Sequence, residues 1–263
     1  MEKLSDDVTE VAFQVLPNES HHPAFEWTVR RVFDADARLK DLGNLLVDAA
    51  ENWDVTPIFR FKKGEKPEGP NFEQVPDRLG QIARWSVTTA SEAIHHLRAA
   101  LDYLVHHAVW LNTGSRNDAT QFPLSKTEAD WKRTVKTQRV RGLRSDQLEW
   151  IREVQPYTGV EWSRELMYLS NHDKHRVAIQ ILPAYEMRFD PNVMVADPLG
   201  DDDYASWQLT ETILHLRLTD AYRDIEDTDA LEVVRSILTG VIDITNKFLV
   251  DVGMNPIEMT EGK

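Results

Sequence analysis

Hydrophobic residues recur every three or four positions over long stretches of this sequence, which is the spacing of one face of an α-helix. The clearest stretch runs from about Asp77 to Leu111 and predicts a long central helix with one core-facing stripe, ended by Asn112-Thr113-Gly114. The same spacing predicts five more helices, over Trp27–Trp53, Lys126–Val135, Ser145–Val154, Val160–His172 and Ala230–Val250.

Alternating hydrophobic and polar residues predict β-strands near the N-terminus and again in the second half of the chain. The first is Glu10–Leu16, a small hairpin is expected within residues 57–75, and the remaining strands are Val177–Leu182, Tyr185–Phe189, Val193–Ala196 and Thr212–Leu218. We therefore expect an α+β fold, in which a mainly helical core carries a small antiparallel sheet from the N-terminal strand and residues about 177–218. No Pro/Gly/Ser linker divides the chain, so residues 1–263 are expected to form a single domain.

Composition narrows the classes of function. With no cysteine, the chain offers no disulfide, no thiolate nucleophile and no sulfur-based zinc site. It contains no glycine-rich phosphate loop and no Gly-x-Ser-x-Gly motif, and we expect no cofactor. The N-terminal residues lack the apolar run of a signal peptide, and no later run is long enough to span a membrane, which favours a cytoplasmic protein without a membrane partner.

The net charge of −14 argues against broad attraction to nucleic acid, but the charge is unevenly distributed. A basic segment without any acidic residue lies between Trp131 and Ser145 and contains Lys132, Arg133, Lys136, Arg139, Arg141 and Arg144. Such a segment is typical either of a local anion-binding site or of a solvated surface whose cations pair with acidic neighbours.

The strongest candidate site is the segment Leu169–Arg176, where a helical pattern gives way to a strand pattern. It concentrates groups that transfer protons or bind anions: Asn171, His172, Asp173, Lys174, His175 and Arg176. A metal site is the weaker interpretation, because Glu92-x-x-His95 and His172-x-x-His175 lack the second Glu-x-x-His motif of helical di-metal sites. We expect no metal.

The long helix carries a second polar group, in which Asp102 shares a face with His95 and His106 and Arg98 lies at its flank. One interpretation is a surface on which these residues pair along the helix. The other is that this face meets the 169–176 segment and completes a pocket, with Asp102 orienting a histidine.

Four segments in one order carry a resemblance: Leu97–Leu104, Phe122-Pro123-Leu124, Gln155-Pro156-Tyr157 and Leu169–Arg176. Over roughly residues 90–182 the series resembles a widespread family of bacterial and phage proteins of uncharacterised activity. More distantly it is similar to HEPN helical domains, many of which are ribonucleases in defence and toxin systems. Asn171 and His175 match the Asn and His of the HEPN motif, while Ser170 stands where those domains have Arg. This resemblance implies a metal-independent ribonuclease or nucleotide-processing protein.

Three functions follow from these residues. In an RNA-cleaving enzyme, His175 would act as base or acid, Asn171, His172 and Asp102 would support it, and Lys174, Arg176 and Arg98 would stabilise negative charge. The basic segment would then hold the phosphate backbone through Lys132, Arg133, Arg139, Arg141 and Arg144. In a binding module, the same cations would hold a nucleotide or another anion without turnover. In a structural protein, the cluster would only join helix to strand. The apolar stripes of the long and C-terminal helices could also support a homodimer.

Overall fold

A computed structural model of the chain describes residues 12–13, 23–52, 61–63, 77–174, 181–196, 202, 204–218 and 229–260. The helices are α1 (Pro23–Asn52), α2 (Asp77–Thr113), α3 (Glu128–Thr134), α4 (Ser145–Glu153), α5 (Glu161–Lys174) and α6 (Ala230–Asp251), with a 3₁₀ turn at Pro156–Thr158. The strands are β1 (Ala12–Phe13), β2 (Phe61–Lys62), β3 (Ile181–Ala196), β4 (Tyr204–Leu218) and β5 (Met259–Thr260). None of the helices in this described part is long and apolar enough to span a membrane.

All six helices predicted from the hydrophobic spacing are confirmed, with ends that differ by a few residues. The stripe of α2 explains why: Ile94, Leu97, Leu101 and Leu104 are all buried, as a 3.6-residue period requires. Local capping sets some of the boundaries. The Thr127 hydroxyl accepts a hydrogen bond from the Asp130 N–H and so starts α3.

The α+β prediction, in contrast, is wrong: the described chain is mainly helical, and its strands do not form the expected sheet. The N-terminal strand β1 pairs with β5 at the C-terminus and does not join residues 181–218. Three strands were predicted between 177 and 196, and the described residues among them form one strand, β3, which pairs with β4 as a long hairpin interrupted by two register shifts. Residues 177–180 of the first predicted strand lie outside the described residues. Two residues of β2 pair with the edge of β4. Hydrophobic alternation marks extended segments but does not specify their partners, and this is why the sheet was mispredicted.

The chain divides into two compact units. The first comprises residues 1–37, 92–175 and 234–263, and its core includes Phe25, Leu101, Phe122, Leu166 and Phe248, all fully buried. The second comprises residues 38–91 and 176–233 and contains the β3–β4 hairpin, with Leu42, Ile82 and Leu216 buried. The expectation of a single domain stays a prediction. Every candidate site residue of the described chain lies in the first unit.

Candidate functional site

A small cavity in the first unit gathers several of the predicted site residues. It measures about 200 Å³, and we call it the arginine pocket. Its lining consists of Arg98, Gln121, Phe122, Pro123, Leu124, Arg139, Met167, Ser170 and Asn171. Residues from α2, from the loop before α3, from the basic segment and from the end of α5 therefore meet here, although they are far apart in sequence.

Arg98 lies at the buried side of the arginine pocket, with only 8% of its surface exposed. Its Nη2 donates to Asp102 Oδ1 at 2.8 Å, one helical turn further along α2, and to the carbonyl oxygen of Phe122 at 2.6 Å. Its Nε is buried and has no hydrogen-bond partner among the described residues. Burial lowers the pKa of Arg98, the charge of Asp102 opposes this, and the nearby positive charge of Arg139 lowers the pKa further.

One wall of the pocket is held by side chains from two other segments. Asp102 Oδ1 accepts from the N–H of Phe122 at 2.9 Å, so Asp102 binds both Arg98 and the wall. Gln155 is fully buried, accepts from the Ser125 N–H at 2.8 Å and donates to the Pro123 carbonyl at 2.9 Å. The 122–125 backbone is thus fixed from both sides, which favours a pocket formed before any ligand binds.

A second cavity of about 350 Å³ adjoins the first, and we call it the threonine cavity. It shares Leu124, Arg139, Met167 and Asn171 with the arginine pocket and adds Ser125, Lys126, Asp130, Arg133, Thr134 and Thr137. Arg139 and Asn171 therefore stand at the boundary between the two cavities. Arg139 is exposed and makes no ion pair with any carboxylate in the described part of the chain.

The other cations of the basic segment are placed differently. Lys132 pairs with Glu128 at 2.9 Å, and Arg133 pairs with Asp130 at the edge of the threonine cavity. Arg144 lies at the start of α4, where hydrogen bonds to Asp146 and Asp251 raise its pKa. Arg141 is exposed and lines neither cavity. Of the predicted cations in this segment, Arg139 lines both of these cavities and Arg133 lines the threonine cavity.

The 169–176 segment is described in part. Helix α5 ends at Lys174, and Asn171 is the last residue of the segment whose side chain is described. Ser170 is buried and Asn171 is exposed, and both line the arginine pocket. The predicted catalytic and ligand-binding roles of His172, Lys174, His175 and Arg176 concern side chains that lie outside the described residues.

From the sequence, Asp102 was paired with a histidine, and residues 122–125 were not predicted to form a wall of the pocket. Phe122 and Gln155 were noticed only as parts of short segments in a resemblance, and nothing in their residue types indicated that they enclose a pocket. The threonines of the second cavity carried no signal at all, because isolated threonines are common on solvated surfaces. All four segments of the resemblance nevertheless contribute to this one region, through Arg98 and Asp102, Phe122–Leu124, Gln155, and Ser170-Asn171.

Comparisons with known proteins add no assignment: no family model, no curated protein and no solved structure matches the chain. Within the part of the chain that the structure describes, no three His, Asp or Glu residues are grouped so that they could hold a metal ion.

Proposed function

We propose that this protein binds a phosphate-bearing anion in the arginine pocket, of the kind carried by a nucleotide or an RNA end. The observation that supports this most directly is the pairing of two guanidinium groups, Arg98 and Arg139, across one pocket with the Asn171 amide. Two neighbouring positive charges repel each other, and a bound anion would offset this unfavourable electrostatic energy. Guanidinium groups also match the geometry of phosphate oxygens.

The charge balance of the pocket supports the same proposal. Asp102 offsets the charge of Arg98 through a 2.8 Å hydrogen bond, and no described carboxylate offsets that of Arg139. The pocket therefore carries an excess positive charge in a protein whose net charge is −14. A local positive site in an acidic protein attracts small anions that can enter it, while the acidic surface around it repels extended polyanions.

Calorimetric titration with inorganic phosphate tests this proposal, using Arg139→Ala and the matched control Arg141→Ala. Both variants remove one arginine from the same loop, but only Arg139 lines the pocket. We expect Arg139→Ala to weaken phosphate binding by about 10- to 100-fold, because a hydrogen bond to a charged group contributes about 1.5–3 kcal/mol. Arg141→Ala should bind like the wild type. Equal affinities for all three proteins, or no binding to the wild type, would contradict the proposal.

A second candidate is metal-independent cleavage of RNA, with His175 as the proton-transferring group. It is favoured by the position of Asn171, which lines the arginine pocket near the end of α5 and precedes His172 and His175 in sequence. Cleavage through an internal 2′-hydroxyl requires a base for its proton and cations for the phosphorane charge. Lys174 and Arg176 would join Arg98 and Arg139 in the second role.

Incubation with a mixed RNA pool in the presence of EDTA separates this candidate from binding alone. Cleavage that persists in EDTA and is lost in His175→Ala would support catalysis by this cluster. If the RNA survives with the wild-type protein while phosphate still binds, the protein is a binding module and the catalytic candidate fails.

A further inference from the structure

The arginine pocket and the threonine cavity differ in the chemistry of their linings. The arginine pocket is the more enclosed of the two and ends at the buried Arg98. Its volume of about 200 Å³ is below the roughly 300–1,000 Å³ of ordinary ligand sites and has room for a small anionic group. The threonine cavity is larger and more open, and the two are joined at Arg139 and Asn171.

The threonine cavity offers hydroxyl and carboxylate groups. Thr134 and Thr137 line it, and the Thr137 hydroxyl donates to the Thr134 carbonyl at 2.7 Å. The Asp130 carboxylate accepts from the Thr127 hydroxyl and from Arg133, and these hydrogen bonds lower its pKa, so it remains an ionised acceptor. An ionised carboxylate has about four acceptor positions, so Asp130 can accept further hydrogen bonds from a ligand.

No aromatic side chain of the described residues lines the threonine cavity. A flat base would find no stacking partner there, whereas a group rich in hydroxyls would find both donors and acceptors. Carboxylates serve this purpose in other proteins, where they accept hydrogen bonds from ribose hydroxyls. The ligand class that fits both cavities therefore has an anionic end and a hydroxylated body.

We propose that the two cavities form one site for a phosphate monoester of a hydroxylated alcohol, such as a sugar phosphate. The terminal phosphate lies between Arg98 and Arg139, and the hydroxylated part extends past Asn171 toward Asp130 and Thr134. This inference rests on the proposed binding of phosphate and adds which kind of phosphate the site accepts. An internal phosphodiester should bind more weakly, because it carries one negative charge, whereas a phosphate monoester carries about −1.5 to −2 at pH 7.

Calorimetric titration with three probes tests this assignment: inorganic phosphate, ribose 5-phosphate and a dinucleoside monophosphate, whose only phosphate is internal. We expect ribose 5-phosphate to bind about tenfold more tightly than inorganic phosphate, the effect of one or two added hydrogen bonds. The dinucleoside monophosphate should bind more weakly than either. Arg139→Ala should weaken the binding of inorganic phosphate and of ribose 5-phosphate alike.

Thr134→Val isolates the second cavity, because it removes a hydroxyl and nearly preserves the side-chain shape. It should reduce the preference for ribose 5-phosphate and leave inorganic phosphate unchanged, while Thr88→Val on α2, outside both linings, changes neither. Ribose 5-phosphate that binds no more tightly than inorganic phosphate would overturn this inference. A dinucleoside monophosphate that binds as tightly as ribose 5-phosphate would also overturn it. So would a Thr134→Val variant that loses the same affinity for inorganic phosphate as for ribose 5-phosphate. In those cases the phosphate site itself would stand. If inorganic phosphate fails to bind the wild type, the proposed function fails as well.

Discussion

Arg98 is a charged residue held in the interior, and such a residue raises the free energy of the folded state unless its hydrogen bonds are satisfied. Two of its bonds are made with Asp102 and the Phe122 carbonyl, while Nε is left without a partner in the described chain. The hydrogen-bonding capacity of Arg98 is therefore only partly satisfied by the described residues. Replacing Arg98 alone by a hydrophobic residue would leave the Asp102 carboxylate and the Phe122 carbonyl without this donor, which destabilises a protein more than replacing a whole ion pair.

Glu165 on α5 is a second buried charge, and it predicts how stability depends on pH. Only 6% of its surface is exposed, and one carboxylate oxygen has no hydrogen-bond partner in the described residues. Burial, reinforced by the charge of Glu161 and opposed by Arg164, raises the pKa of Glu165 to about 7. Between its ordinary pKa of 4.5 and about 7, the folded protein holds a proton that the unfolded chain releases. The unfolding free energy must therefore fall as the pH rises through this window.

Glu165→Gln should remove this pH dependence, because glutamine stays neutral. The unfolding free energy of the variant minus that of the wild type should increase by about 1–3 kcal/mol from about pH 5 to about pH 8. Urea unfolding at both pH values measures the gain, and the exposed Glu258→Gln controls for the loss of one negative charge. A difference between Glu165→Gln and wild type that is the same at both pH values would show that Glu165 does not titrate in this range.

At the scale of elements, the contact between α5 and α6 predicts that replacing Gly240 by alanine destabilises the protein. Helix propensity alone would predict the opposite sign. Gly240 is buried within α6, and a Cβ atom added there would overlap the indole ring of Trp162 on α5. Gly240→Ala should therefore destabilise the protein by about 1–3 kcal/mol, the cost of overpacking, despite the better helix propensity of alanine.

Urea unfolding of Gly240→Ala beside Gly43→Ala distinguishes packing from propensity. An added Cβ at Gly43 in α1 meets nothing within 4 Å, so this variant should gain up to about 1 kcal/mol. The loss in Gly240→Ala should shrink when Trp162 is also replaced by leucine, since the two positions are in contact. A Gly240→Ala protein as stable as the wild type would mean that the indole does not occupy this space.

The helices were predictable because their signal is local. The stripe of α2 repeats over many turns, and Leu97, Leu101 and Leu104 are buried as their spacing requires. The pairing of β1 with β5 was not predictable, because it joins residues from opposite ends of the chain and its two-residue strands carry no period. The site divides in the same way. Arg98, Arg139 and Asn171 were recognised by residue type, whereas the wall held by Gln155 depends on contacts between distant segments.

For the whole molecule, the balance of 44 acidic against 30 basic residues limits how a polyanion can bind. Three of the six cations of the basic segment are already engaged: Lys132 with Glu128, Arg133 with Asp130, and Arg144 with Asp146 and Asp251. A protein that uses a broad basic face neutralises many phosphates and loses affinity steeply with salt. If phosphate binds in the arginine pocket as proposed, Arg98 and Arg139 are the cations that contact it, and the net charge of −14 opposes contacts with further phosphates.

The salt dependence of binding to a 5′-phosphorylated single-stranded RNA of about 20 nucleotides should therefore be shallow. A plot of log affinity against log salt concentration should have a slope of about −1 to −2, since each neutralised phosphate of a single strand contributes about −0.7. Fluorescence anisotropy across a salt series measures this slope, with Arg139→Ala expected to lower the affinity and flatten the slope by less than about 1. A slope near −5 would mean that several phosphates are neutralised at once. The anion would then bind along an extended surface, and the net negative charge of the chain would conceal a basic face much wider than the arginine pocket.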